Sequence, residues 1–204
     1  MKATELFNHW VDLNKDNGME KNHSPSVEYM ISMIPSKTIS RNFSFLDIGC
    51  GNGWVVRKLS KYKTCYKSVG IDGAEKMIKK AKLLDKTSTY HHLDLNTFSN
   101  FSEQFDVILS MEFIYYLKNP ELLIDHIFTK LLNPGGTFIL GLDYYIENPL
   151  SLSWPSELNV EMCTYSMYKW KSVLENAGFI NVELFQHGQK NDWKGTLIFI
   201  CSKN

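Results

Sequence analysis

A chain of 204 residues with 22 basic and 22 acidic side chains carries no formal net charge, so it has no global field to gather nucleic acid or an anionic membrane. That length suits one domain whose core stands without disulfides or a structural metal. Cys50, Cys65, Cys163 and Cys201 form no CxxC pair and no zinc spacing, the start lacks a secretory stretch, and no apolar run nears the roughly 20 residues of a membrane span, so a soluble, cytoplasmic protein without a metal site is expected.

Thr4 to Leu13 and Pro25 to Ile34 read as two short helices joined by the polar run NKDNGMEKNHS. We expect residues 1–43 to form a helical lid over a core of residues 44–204 within one domain. Short apolar, β-prone runs then alternate with amphipathic segments: FSFLDI, KSVGID, STYHHL, FDVILS, GTFILGL, INVELF and GTLIFICS. That alternation predicts an α/β fold on a mainly parallel sheet.

A lysine-rich helix follows the second run, with Met77, Ile78, Ala81 and Leu84 as its apolar face and its lysines on the solvated side. In ELLIDHIFTKLL, Leu123, Ile127 and Leu131 share a face, with Asn119 as N-cap and Pro120 in the first helical position. Ser166 to Ala177 repeats the pattern, with Ser166 as cap and Gly178 as the stop. Only QHGQKNDWK separates the last two strands, so they should pair antiparallel.

The chemistry concentrates in FLDIGCGNGW, where a buried strand ends at Asp47 and the chain passes through Gly49, Gly51 and Gly53 into a helix near Trp54. Glycine permits positive φ and leaves no Cβ to hold a ligand away. The helix start offers free N–H groups suited to a carboxylate, and Asp47 can answer an ammonium. The next strand ends in Asp72, 19 residues after Gly53 and followed by Gly73, where an acid accepts from the hydroxyls of a ribose. Asp94 ends the third strand, placed to accept from an adenine amine, with the Leu95 N–H for a ring nitrogen. An NAD site would share the glycine turn and Asp72, although Trp54 stands where the dinucleotide fingerprint has a small residue.

Together FLDIGCGNGW, SVGIDGAEKMIKKAK, HLDL, QFDVILSMEFIYYL and LLNPGGTFIL resemble the successive motifs of class I S-adenosylmethionine-dependent methyltransferases. The resemblance runs from about Phe45 to Leu142 and more loosely through LENAGFINVELF. It implies a doubly wound, Rossmann-like sheet of seven mostly parallel strands with the last antiparallel. It also implies S-adenosylmethionine (product S-adenosylhomocysteine) held by the glycine turn, Asp72 and Asp94, with Ser110, Met111 and Glu112 near its methionine part. SMEF stands where amino-methylating DNA enzymes carry an Asn/Asp-Pro-Pro-aromatic motif, and the paired glutamates of arginine-methylating members are missing. A small-molecule acceptor is therefore expected, with no nucleic-acid partner. An NAD-dependent oxidoreductase and a non-catalytic binding module are the alternatives.

Candidates beside the acceptor are Glu112, Tyr115 and Tyr116 after the fourth strand, and Asp143, Tyr144, Tyr145 and Glu147 after the fifth, with Trp154 beyond. They could form an aromatic, anionic pocket, or the rings could simply cover apolar surface under loops. His91 and His92 suit a structural role. His23 and His9 lie in the lid, where a histidine could act as a base near neutral pH.

Overall fold

Both faces of the first strand are covered, and its sequence shows it: all six residues of β1 (Phe43–Ile48) are buried. The structure, a computed structural model, describes residues 1–97 and 101–204. β1 lies between β2 (Cys65–Asp72) and β4 (Phe105–Met111), parallel to both. β3 (Thr89–His92) continues the sheet beyond β2, and β5 (Leu132–Leu142) lies parallel to β4. β7 (Thr196–Ser202) runs antiparallel between β5 and β6 (Ile180–His187), completing the order β3-β2-β1-β4-β5-β7-β6. The expected hairpin is present, as is the expected sheet of seven mostly parallel strands with the last antiparallel.

Alternate side chains of β1 enter two cores. Phe43 and Phe45 pack with α2 (Asn17–Ser32), α4 (Trp54–Leu59) and α5 (Glu75–Leu84), whereas Leu46 and Ile48 pack with α6 (Pro120–His126) and α8 (Met167–Asn176). The chain moves outward in opposite directions from β1 and from β4, so a crevice opens between them at the carboxyl edge.

Capping follows the sequence in part. Ser166 accepts from the Lys169 N–H at 3.1 Å, and Gly178, at φ 103°, ends α8. Asn119 precedes α6 without a side-chain cap, and the helical run closes in a π-helical turn over Ile127–Leu131. Leu84 stays 55% exposed, so the inward face of α5 is Met77, Ile78 and Ala81.

The N-terminal segment departs most from expectation. α1 (Ala3–Asp12) sits where it was read, but α2 begins at Asn17, so most of the polar connector is helical and Pro25 lies inside the helix. Tertiary contacts override weak propensity here. Asp16, just before α2, is fully buried, bridged to Lys80 at 2.6 Å and accepting from Asn52 Nδ2 at 3.0 Å. Lys76 pairs with Asp12 of α1 at 2.6 Å. Two lysines of α5 thus pin the N-terminal helices onto the core. Short helices α3 (Ser36–Ile39) and α7 (Trp154–Leu158) complete the fold. Among the described residues no helix is long and apolar enough to cross a membrane.

Candidate functional site

The crevice deepens into a cavity of about 650 Å³, walled by the carboxyl ends of β1, β2, β4 and β5 and covered by α1 and α2. At one end lie Asp47, Gly49, Gly51, Asp72 and Gly73. Asp72 holds the turn shut, its Oδ2 accepting from the Gly51 N–H at 2.9 Å and its Oδ1 from the Ala74 N–H at 2.7 Å.

The three glycines of the turn differ in what they do, although all three have positive φ. A Cβ on Gly49 would stand 2.3 Å from the Phe113 ring, and one on Gly53 2.5 Å from the Tyr90 ring. Those two exist for packing, and Gly53 lies outside the cavity wall. A Cβ on Gly51 would meet only the flexible end of Met19, at 3.3 Å. Gly51 is the position where the missing side chain keeps the cavity open.

Asp47 is buried, 2% exposed, and burial together with the neighbouring Asp72 pushes its carboxyl up to about 8. A carboxylate so placed gains from a cation brought into the cavity. Without a cation beside it, it is a burden, because the unfolded chain ionises near pH 4 while the folded chain resists ionisation until about pH 8. Stability from the neutral form is complete below the unfolded value and is lost as pH rises toward the folded one. Asp47→Asn should therefore raise the melting temperature of the ligand-free protein by at least about 3 °C at pH 8, roughly 1 kcal/mol, and by nothing near pH 4. Differential scanning calorimetry at the two pH values checks this, and an equal shift at both would remove ionisation as the cause.

The opposite end is aromatic and acidic. Phe7 and Trp10 descend from α1, with Phe7 edge-on to Tyr116 at 5.3 Å. Trp154 and Trp193 stack at 6.2 Å on the far side. Glu112, at φ 54°, accepts from the Tyr115 hydroxyl at 2.7 Å and, by a very short bond, from the Asp143 N–H. Its carboxyl is raised well above the ordinary range by burial and by Asp143. Asp143 is itself raised by burial, and its Oδ1 is buried without a hydrogen-bond partner. His23, from α2, turns Nδ1 toward Asp143 Oδ2 at 3.8 Å. Among the described residues no lysine or arginine lines the cavity.

Several expected contacts fall elsewhere. Tyr144, Tyr145 and Glu147 do not line the cavity. The chain turns sharply after Asp143, where Asn148 donates to the Asp143 and Tyr145 carbonyls, and this carries their polar ends away. Tyr144 bonds Thr164, Tyr145 donates to the Gly195 carbonyl at 3.1 Å, and Glu147 accepts from the Met167 N–H at 3.0 Å. Ser110 is buried, donating to the Ile48 carbonyl at 2.9 Å, and so ties β4 to β1. Asp94 is exposed and accepts from Asn96, while the Leu95 side chain fills the core; neither reaches the wall. His9 is exposed, His91 lies against Phe101, and His92 bonds the Gly73 carbonyl.

Phe7, Trp10, Met19, Phe113, His187, Trp193 and Thr196 line the cavity without having been singled out in the sequence. For Phe7 and Trp10 the signal was present, since spacing of three on an amphipathic helix puts both on one face. His187 and Trp193 come from the β6–β7 hairpin, whose return over the site is a tertiary fact.

A family model described as a methyltransferase domain matches residues 12–184. The mitochondrial ubiquinone biosynthesis O-methyltransferase of Dictyostelium discoideum is 27% identical over 160 residues, covering 71% of this chain and 49% of that protein. The ubiquinone biosynthesis O-methyltransferase of Roseobacter denitrificans is 32% identical over 102 residues, covering 47% of this chain and 39% of its own. The chain thus spans half or less of the length of these two relatives. Among solved structures, a putative methyltransferase in complex with the Haloferax volcanii Trm112 activator superposes with a TM-score of 0.84 at 24% identity, covering 97% of this chain and 96% of that one.

Proposed function

The chain belongs to the S-adenosylmethionine-dependent methyltransferases, and from that premise we propose that it methylates a small aromatic acceptor that carries no anionic group. The family match sets aside the oxidoreductase reading, and S-adenosylmethionine is the cofactor. When bound, it supplies an electrophilic methyl on a sulfonium.

The cofactor end fits that group: Asp47 would answer its ammonium, Asp72 its ribose hydroxyls, and the open wall at Gly51 its close approach. Asp72 keeps this capacity because each carboxylate oxygen accepts one backbone bond and has a further lone pair. α1 and α2 would act as the lid, excluding water and aligning the acceptor.

The observation that carries the acceptor class is the lining of the far end. Phe7, Trp10, Tyr116, Trp154 and Trp193 suit a flat ring, and among the described residues no lysine or arginine lines the cavity to neutralise a buried carboxylate or phosphate. Methyl-labelled cofactor offered with uncharged phenols, aromatic amines, aromatic carboxylates and phosphate esters tests it. Uptake by the first two groups is expected, and preferential methylation of an anionic acceptor would reverse the assignment.

A further inference from the structure

We propose that His23 is the general base of the reaction, set in place by Asp143, and that the group it serves is a hydroxyl of the acceptor. This rests on the methyltransferase reading above and adds to it the atom that loses a proton.

His23 and Asp143 come from different parts of the chain, α2 and the turn after β5, and meet in the cavity wall. Nδ1 and Oδ2 stand 3.8 Å apart, and the contact joins the covering helix to the sheet. Nδ1 faces Asp143, which leaves Nε2 for the acceptor. Asp143 is fixed in turn: its backbone N–H donates to Glu112 and its carbonyl accepts from Asn148 Nδ2 at 2.8 Å. Its other oxygen, Oδ1, is buried without a hydrogen-bond partner, as is Nδ1 of His187. An orphan carboxylate oxygen costs stability unless something polar reaches it. A second hydroxyl, or the imidazolium formed in the reaction, would do so.

Burial lowers the His23 imidazole below its usual value against the upward pull of Asp143, so it stands neutral and able to accept. The other titratable groups at this end are Asp143, Glu112, Glu157, Tyr115, Tyr116 and His187. Glu112 is a poorer base because burial and the neighbouring Asp143 raise its carboxyl well above the ordinary range, so it resists giving up its proton. The tyrosines are pushed upward by burial and stay protonated. His187 has a buried Nδ1 without a partner, but its ring is stacked on Tyr29 at 4.5 Å. A neutral amine attacks without a base, whereas a hydroxyl is a poor nucleophile until its proton is taken. The acceptor oxygen bonds to the methyl carbon as the carbon–sulfur pair returns to sulfur. Its proton passes to His23 Nε2, giving an imidazolium beside Asp143.

Two readouts test this on the full chain. Histidine ring resonances followed by NMR should titrate His23 below 6.5, and lower still in Asp143→Asn, because the carboxylate is what raises it. Methyl transfer from labelled cofactor is then measured with catechol, 4-methylphenol and phenylethylamine as acceptors. We expect both phenols to be methylated, with kcat falling about 100-fold in His23→Gln. S-adenosylhomocysteine affinity should hold, the acid limb of the pH profile should vanish, and imidazole should partly rescue His23→Ala. Equal phenol methylation by wild type and His23→Gln would overturn the base while leaving the methyltransferase reading intact. Cofactor binding without methylation of either phenol would overturn the hydroxyl assignment. A wild-type protein that binds no S-adenosylhomocysteine would overturn both readings together.

Discussion

Gly51→Val will leave a folded protein that no longer binds S-adenosylhomocysteine, while the nominally milder Gly49→Ala and Gly53→Ala will damage the fold itself. At Gly51 the backbone is left-handed, φ 53°, and the new side chain faces the cavity with only Met19 in reach. The backbone strain is about 1–2 kcal/mol, which a domain of this size survives. The lost space is what the cofactor needs. At Gly49 and Gly53 a single methyl lands 2.3 Å from the Phe113 ring and 2.5 Å from the Tyr90 ring, with φ of 78° and 79°. Strain and overpacking add there, to roughly 2–5 kcal/mol each. Urea denaturation set beside cofactor titration separates the outcomes. Undiminished binding by Gly51→Val would show that the ligand does not approach the turn.

Asp72→Ala should weaken S-adenosylhomocysteine binding by more than tenfold, and by more than Asp72→Asn does. Two effects of the same sign combine. The carboxylate is the expected partner of the ribose hydroxyls, each bond contributing about 1.5–3 kcal/mol before compensation. It also fastens the turn to the end of β2 through the Gly51 and Ala74 N–H groups, which alanine would leave unpaired. Asparagine keeps one acceptor and so keeps part of the turn. Calorimetric titration of the three proteins ranks them, and an alanine variant with wild-type affinity would remove Asp72 from the site.

The fold was legible because both periodicities were strong: runs such as FSFLDI and TLIFICS are strand-length and buried on both faces, and ELLIDHIFTKLL repeats with helical period. The glycine turn after β1 and the acids at the ends of β1 and β2 were legible for a similar reason, since strand ends and tight turns leave local marks in glycine and aspartate. The start of α2 was not legible. Its polar residues form a helix because Asp16 is bound by Lys80 and Asn52, partners 64 and 36 residues away. The acceptor end was read only in part. Asp143 and the adjacent Tyr144 and Tyr145 look alike as pocket candidates, yet the turn fixed by Asn148 buries the two rings in the core and keeps the carboxylate in the wall. Nor does spacing distinguish a glycine that admits a ligand from one that admits a neighbouring ring.

The arrangement as a whole requires the cofactor to lie along one cavity, with its reactive end directed at the aromatic half. A crystal structure of the complex with S-adenosylhomocysteine tests this most directly. The account predicts the ribose on Asp72, the amino group at Asp47 and the sulfur open toward His23, Glu112 and Asp143. A complex in which the ligand lies outside this cavity, or in which the sulfur faces away from His23 and Asp143, would contradict it.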